Sequence, residues 1–413
     1  MKVGLQVALS DVNLDVAQPA SQRQLAISIS AIANSSQPTA PLNLCLILDH
    51  SGSMHGRPLE TVKQAAQEIV DNLSPGDRIS IVVFDHKAKV LVPSQVIGNP
   101  AGLKVEINRL KPSGGTSIDE GMRLGIEELA KSKKDTISQA FLLTDGENEH
   151  GDNERCLKLA QLAADYNLTL NTLGFGDNWN QDILEKIADA AGGTLSYIQQ
   201  PEDAVSEFNR LFSRIQSVAL TNAHLLLTLS PGVRLAELKP IAQVVPETIE
   251  LPMVQDAGAI AVRLGDLMID APRVVLANLY AGQFPPGQHV LLTAQIRYDD
   301  PMQNREGLLS DPITISVNSS ASFQPTPDAQ VQQHVLALAK YRQTQIAEQK
   351  LQQGDRSGAA TMLQSAAKTA LQMGDQSAAT VLQENATRLQ DGGDLSESDR
   401  KKTRIVSKTI LQG

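Results

Sequence analysis

The sequence predicts an α/β fold: a doubly wound, mainly parallel sheet inserted into a β-sandwich and followed by a C-terminal α-helical module. Residues 42–217 alternate short apolar runs with amphipathic helical patterns. The stretches on either side, 1–36 and 218–322, consist of short strand-like runs punctuated by turns. Beyond residue 328 the chain becomes rich in Ala and Gln at helical spacing. A length of 413 residues suits two or three domains, and 41% apolar against 20% charged residues suffices for packed cores.

At the N-terminus, "QLAISISAIAN" (24–34) alternates apolar and polar residues in its first half, the period of a half-buried strand. "SSQPTAP" (35–41) has the composition of a linker. From residue 42, apolar runs at 42–48, 79–84, 140–143, 168–173 and 194–198 lack alternation, which suits parallel strands covered on both faces. Helical patterns separate them. In "LETVKQAAQEIVDNL", Leu59, Val62, Ala66, Ile69 and Leu73 share one face, and "SPGD" stops the helix. "IDEGMRLGIEELAKS", "NERCLKLAQLAADY", "QDILEKIADAAGG" and "EDAVSEFNRLFSRI" repeat the pattern. Strands alternating with helices imply right-handed crossovers. "HKAKVLVPSQ" follows its preceding strand too closely for a helical crossover, so it is an expected antiparallel edge strand.

Residues 218–322 carry five strand-like runs between the turn signals "SPG", "FPPGQ" and "DDP", the texture of a sandwich. Residues 1–40 have too little material for a core of their own and are expected to join it. The 328–391 segment reads as a hairpin-like module of short antiparallel helices. "LQQGDRSGAATMLQ" and "LQMGDQSAATVLQE" repeat there, with Gly354-Asp355 and Gly374-Asp375 as breaks. Residues 392–413 are charged and read as a mobile tail.

Oxygen-bearing residues gather at predicted strand ends. "LCLILDHSGSMHG" runs from a buried strand into Asp49, Ser51 and Ser53, where open α/β sheets bind ligands. The same residue types also make ordinary turns and helix caps. "KPSGGTSIDEG" places Thr116 in a glycine-flanked loop before a helix, and "FLLTDGENE" places Asp145 at another strand end. All five side chains offer oxygen, the donor set of a hard cation. The sequence contains neither Gly-x-Ser-x-Gly nor Gly-x-x-x-x-Gly-Lys-Ser/Thr, and no acid/base pair at an obvious catalytic spacing.

With "DHSGS", "GGTS" and "LLTDG" in this order, residues 42–217 resemble a von Willebrand factor type A (VWA) domain, a Rossmann-like fold, with a metal-ion-dependent adhesion site. The resemblance implies Mg²⁺ (or Ca²⁺ or Mn²⁺) held directly by Ser51, Ser53 and Thr116, with Asp49 and Asp145 acting largely through water. It also implies a function: capture of a Glu or Asp side chain of a protein partner by the cation, as an adaptor or assembly factor. The alternative is a metal-dependent hydrolase or chelatase-type subunit. An A-type domain inserted into a β-sandwich resembles the integrin plan, with the sandwich at the base and the site left free.

Four histidines, His50, His55, His86 and His150, fall near loops at this edge, and their convergence would suit Zn²⁺ or Ni²⁺. Glu147, Glu149, Asp152 and Glu154 read as a solvated acidic rim. In the tail, Thr403 ("KKTRIV") and Thr409 are candidate phosphothreonines for a forkhead-associated type partner. A formal charge of −10 argues against nucleic acid as a partner. The two cysteines, Cys45 and Cys156, make no disulfide framework, and no apolar run reaches eighteen residues. These features give the expectation of a cytoplasmic protein without a membrane span.

Overall fold

The computed structural model describes residues 1–32, 40–176, 179–198, 200, 203–256, 258–269 and 271–409. Most of the linker read at 35–41, and the last four residues, lie outside the described residues.

Strands β1 (Lys2–Leu9), β2 (Asn13–Asp15) and β3 (Ala20–Ile32) come first. The α/β unit then runs β4 (Leu42–Asp49), α1 (Arg57–Asn72), β5 (Arg78–Phe84), β6 (Ala88–Val96), α2 (Pro100–Asn108), α3 (Ile118–Ala130), β7 (Ile137–Thr144), α4 (Asn153–Asp165), β8 (Thr169–Phe175), α5 (Gln181–Ala191), β9 (Leu195–Ile198) and α6 (Ala204–Gln216). Its sheet has the order β6-β5-β4-β7-β8-β9. The pairs are parallel except β5–β6, so β6 is the antiparallel edge strand its short connection demanded. Every residue of β4, β7 and β8 is buried because helices cover both faces. Alternation of the pleat divides β4 between two cores. Leu44, Leu46 and Leu48 pack with α1 and α6, while Cys45 and Ile47 pack with α3, α4 and α5.

The chain continues as β10 (Val218–Leu229), β11 (Val233–Leu235), β12 (Ile241–Val245), β13 (Ile249–Glu250), β14 (Met253–Asp256), β15 (Ala259–Met268), β16 (Arg273–Gly282), β17 (Gly287–Asp300), β18 (Arg305–Leu309) and β19 (Ile313–Ser320). One sheet has the order β1-β3-β16-β12-β13, with β11 on β16; the other has β14-β15-β10-β17-β19-β2, with β18 on β17. β3 pairs with β16 from Ala20–Gly282 to Arg273–Ile29. Leu25, Ile27 and Ile29 from the first sheet share a core with Leu225, Leu227 and Ile296 from the second. This unit meets the α/β sheet at the ends of β7 and β8 away from their C-termini. There the buried Asp266 accepts hydrogen bonds from Gln139 (2.5 Å) and Thr169 (2.9 Å).

The C-terminal segment forms α7 (Ala329–Gln352), α8 (Arg356–Gln372), α9 (Gln376–Gln390) and α10 (Glu397–Lys408). Gly354 and Gly374, both at φ +80°, break the helices, and Asp355 and Asp375 cap the next ones by accepting from Gly358 N and Ala378 N. The sequence repeat is this joint used twice. Two expectations need correction. The module has three successive helices rather than a hairpin, and the tail read as mobile contains α10. That helix starts with a capping box between Ser396 and Asp399 and buries Lys401, Thr403, Ser407 and Lys408. No helix among the described residues is long and apolar enough to cross a membrane.

Candidate metal centre

Asp49 is the last residue of β4, and Thr144 is the last residue of β7. The Thr144 hydroxyl donates to Asp49 Oδ2 (2.5 Å) and the Ser51 amide donates to Asp49 Oδ1 (2.8 Å). Both carboxylate oxygens are thereby fixed from within the fold. A short 3₁₀ turn, Gly52–Met54, follows, anchored by the fully buried Met54. It brings the Ser51 and Ser53 hydroxyls to 2.9 Å of each other, and Ser53 donates to Asp145 Oδ1 (2.7 Å). Asp49, Ser51, Ser53 and Asp145 thus form one continuous chain of polar contacts.

Thr116 reaches the same place from the loop before α3. A Cβ built on Gly146 would lie 3.3 Å from Thr116 Oγ1 and 3.8 Å from Ser53 Oγ, so both hydroxyls face that backbone. Backbone bonds bind the three loops together: Gly52 N to Gly114 O (2.9 Å), Ser113 N to His50 O (2.8 Å) and His150 N to Thr116 O (2.9 Å). Gly114 adopts φ +65° and a Cβ there would meet His86 Nδ1 at 2.2 Å, so the loop requires glycine. Four of the five expected residues line one polar cleft of about 550 Å³. Ser51, Ser53, Thr116 and Asp145 line it together with Glu147, Glu149, Trp179 and Glu397, and the fifth, Asp49, is buried and bonded to Ser51.

Among the described residues no Lys or Arg lines this cleft. Burial pushes the Asp49 carboxyl up to about 6 against the hydrogen bonds from Thr144 and Ser51, and the Asp145 charge adds to the rise. Burial also raises Asp145, opposed by the Ser53 hydroxyl. One buried and one half-buried carboxyl, with no cationic partner among the described residues, stand beside three hydroxyls and fit a hard divalent cation.

The other sequence expectations fare differently. His50 Nδ1 lies 3.0 Å from the Lys111 carbonyl, His86 closes over Gly114 beside Asp85, and His150 closes over Gly115. Among the described residues no group of three or more His, Cys, Asp or Glu is placed to hold a metal. The histidine rim therefore gains no support. In the acidic loop, Glu147 and Glu149 line the cleft, but Asp152 caps α4 by accepting from Glu154 N and Arg155 N. Thr403 is buried and accepts a 2.7 Å bond from Asn385 Nδ2, so it is closed to a kinase in this fold. Thr409 is exposed, but it forms an isolated bridge with Glu247. Sequence reasoning missed Trp179 and Glu397 at the cleft. The capping-box spacing from Ser396 to Asp399 was the available sign of an ordered helix there.

Comparison with known proteins matches residues 43–211 to the von Willebrand factor type A domain and residues 329–413 to the "Sll0103-like, C-terminal alpha-helical domain". The Synechocystis protein sll0103 is 60% identical over 413 residues, covering 100% of this chain and 98% of that one. Inter-alpha-trypsin inhibitor heavy chain H3 of Rattus norvegicus is 27% identical over 199 residues, 46% of this chain but only 22% of the relative. Among solved structures, a von Willebrand factor type A protein from Catenulispora acidiphila superposes with a TM-score of 0.83 at 17% identity, covering 99% of this chain and 97% of that one. At that identity the likeness speaks for the fold.

Proposed function

Because the chain belongs to the Sll0103-like family of VWA-domain proteins, we propose that it is a cation-dependent protein-interaction module whose metal centre captures an acidic side chain of a partner. In this reading residues 41–217 are the VWA domain, inserted into a β-sandwich made of residues 1–40 and 218–322. One observation carries it: three hydroxyls and the Asp145 carboxyl line one cleft, the buried Asp49 carboxyl is bonded to Ser51, and among the described residues no cationic side chain lines the cleft. Ser51, Ser53 and Thr116 would hold Mg²⁺, Ca²⁺ or Mn²⁺ through their hydroxyls, and Asp49 and Asp145 would balance charge from behind. Such an ion supplies a Lewis-acidic position for a carboxylate, because neutral hydroxyls leave its charge poorly compensated. The chain's own residues orient that position, and the Glu147 and Glu149 rim disfavours acidic surfaces that do not deliver a carboxylate to it.

The partner test is a pull-down from native lysate with the full chain, using wild type against Thr116→Ala, with and without EDTA. Proteins lost both with EDTA and with Thr116→Ala are the cation-dependent partners. Identical captures in every arm contradict the reading.

The pH dependence follows from Asp49. Its folded-state carboxyl is raised to about 6, so cation binding must displace its proton below that value. Affinity is expected to be constant between pH 7 and 8 and to fall roughly tenfold per unit below about 6, as one proton is displaced per ion. Calorimetric titration of Mg²⁺ at several pH values measures this directly, and a flat profile down to pH 5 contradicts it.

A further inference from the structure

The residues around the metal centre come from the α/β unit with one exception, Glu397, the first residue of α10. We propose that Glu397 supplies in cis the carboxylate that completes the cation site, so that the C-terminal helix is a built-in occupant that an acidic partner must displace. This inference rests on the cation reading above.

α10 is docked so that its first turn stays at the cleft. Lys401, Arg404 and Lys408 are spaced i, i+3, i+7 and share one helix face. Asp182, Glu185 and Asp189 on α5 have the same spacing. Arg404 Nη1 bonds Asp182 and lies 3.8 Å from Glu185, while Lys408 Nζ lies 2.9 Å from Glu185 and 3.0 Å from Asp189. At the near end, Lys401 Nζ sits 4.4 Å from the centre of the Trp179 ring, and Trp179 itself lines the cleft. Arg404 also bonds Glu348 of α7 (3.0 Å), tying the helix to the rest of its module.

Glu397 is available for the role. Among the described residues no ion pair or hydrogen bond holds its exposed side chain, whereas the neighbouring Asp399 is taken by Ser396 and Arg388. Electrostatics point the same way. Asp145, Glu147, Glu149 and Glu397 line one cleft, an acidic surround that favours a cation held at the hydroxyls. A tethered carboxylate also enjoys a high effective concentration, so even a weak contact is occupied until a partner competes. Displacement has a hinge at hand, since Gly392 (φ +84°) and Gly393 separate α9 from α10.

The test uses the full chain and Mn²⁺ alone as probe, in wild type, Glu397→Gln and Ser53→Ala. Calorimetry gives affinity, and hydrogen exchange with EDTA or Mn²⁺ follows the amides of residues 397–401. If Glu397 is the cis donor, Mn²⁺ slows exchange in that turn of wild type. Glu397→Gln then removes the slowing and weakens Mn²⁺ binding roughly tenfold, and Ser53→Ala loses binding. Equal or tighter Mn²⁺ binding by Glu397→Gln, with unchanged exchange in α10, overturns the cis donor alone. Absence of Mn²⁺ binding by wild type overturns the cation reading, and this inference with it.

Discussion

Replacing Asp49 by Asn is expected to weaken Mg²⁺ binding by about 10- to 100-fold, the range for removing an outer-shell partner of a metal site. The metal-free protein should unfold at the same temperature or higher. Asp49 is fully buried, and its two oxygens accept from the Ser51 amide and the Thr144 hydroxyl. Asn keeps an acceptor for Ser51, and the rotatable Thr144 hydroxyl adapts to its new neighbour, so no large cavity or orphaned backbone group appears. What disappears is a charge that burial already disfavours, as the carboxyl raised to about 6 shows. In the absence of a cation that charge contributes nothing favourable to the fold. Calorimetry with Mg²⁺ and thermal unfolding in EDTA separate the two effects. A variant that binds Mg²⁺ like wild type would remove Asp49 from the site, and a large loss of stability in EDTA would make its role structural.

The second large effect is expected at the other end of α10. Lys408 is nearly buried between Glu185 (2.9 Å) and Asp189 (3.0 Å), and the carboxylates around it hold its ammonium well above the usual range. Burial still pushes Asp189 up to about 6 despite Lys408, so at neutral pH the cluster carries its charges with little to spare. Lys408→Met keeps the apolar stem but leaves the buried Glu185 and the half-buried Asp189 without their shared cation. Breaking a fully buried pair by removing one partner costs about 3–5 kcal/mol, and the partial exposure of Asp189 reduces this to about 1–3 kcal/mol. Urea denaturation should show a loss of that order, and hydrogen exchange should show α10 undocked from α5. Adding Asp189→Asn to the same chain should recover part of the loss, since the two changes share one interaction. Unchanged protection of α10 in Lys408→Met would mean that its other contacts, those of Arg404 with Asp182 and Glu348 among them, hold the helix without Lys408.

The parts of the fold legible in the sequence are those with a local signature. β4, β7 and β8 are apolar throughout because both faces are covered, and β6 betrayed itself by its short connection to β5. α2 was overlooked although Asn99 caps it and Pro100 opens it, because nine residues with only Leu103 and Ile107 buried make little periodicity. β11 to β14 and β18 are two to five residues long, too short for an alternation to register. α10 was misread for a different reason. Its positive charges look like a solvated tail until Asp182, Glu185 and Asp189 are brought beside them by folding, and local composition carries no sign of that. The same distance hid part of the site. Asp49, Ser51, Ser53, Thr116 and Asp145 each stand at a recognisable strand end or glycine loop, whereas Glu397 arrives from a module that periodicity gave no reason to place at the cleft.

Three hydroxyls, together with the Asp49 and Asp145 carboxyls, are expected to hold a divalent cation at this cleft. Anomalous scattering from a crystal of the full chain soaked in Mn²⁺ locates such an ion. The expected result is a peak within about 2.0–2.6 Å of Ser51 Oγ, Ser53 Oγ and Thr116 Oγ1, the span of hard-cation–oxygen distances. A well-diffracting soaked crystal with no peak there, or with peaks only at surface carboxylates elsewhere, would contradict it.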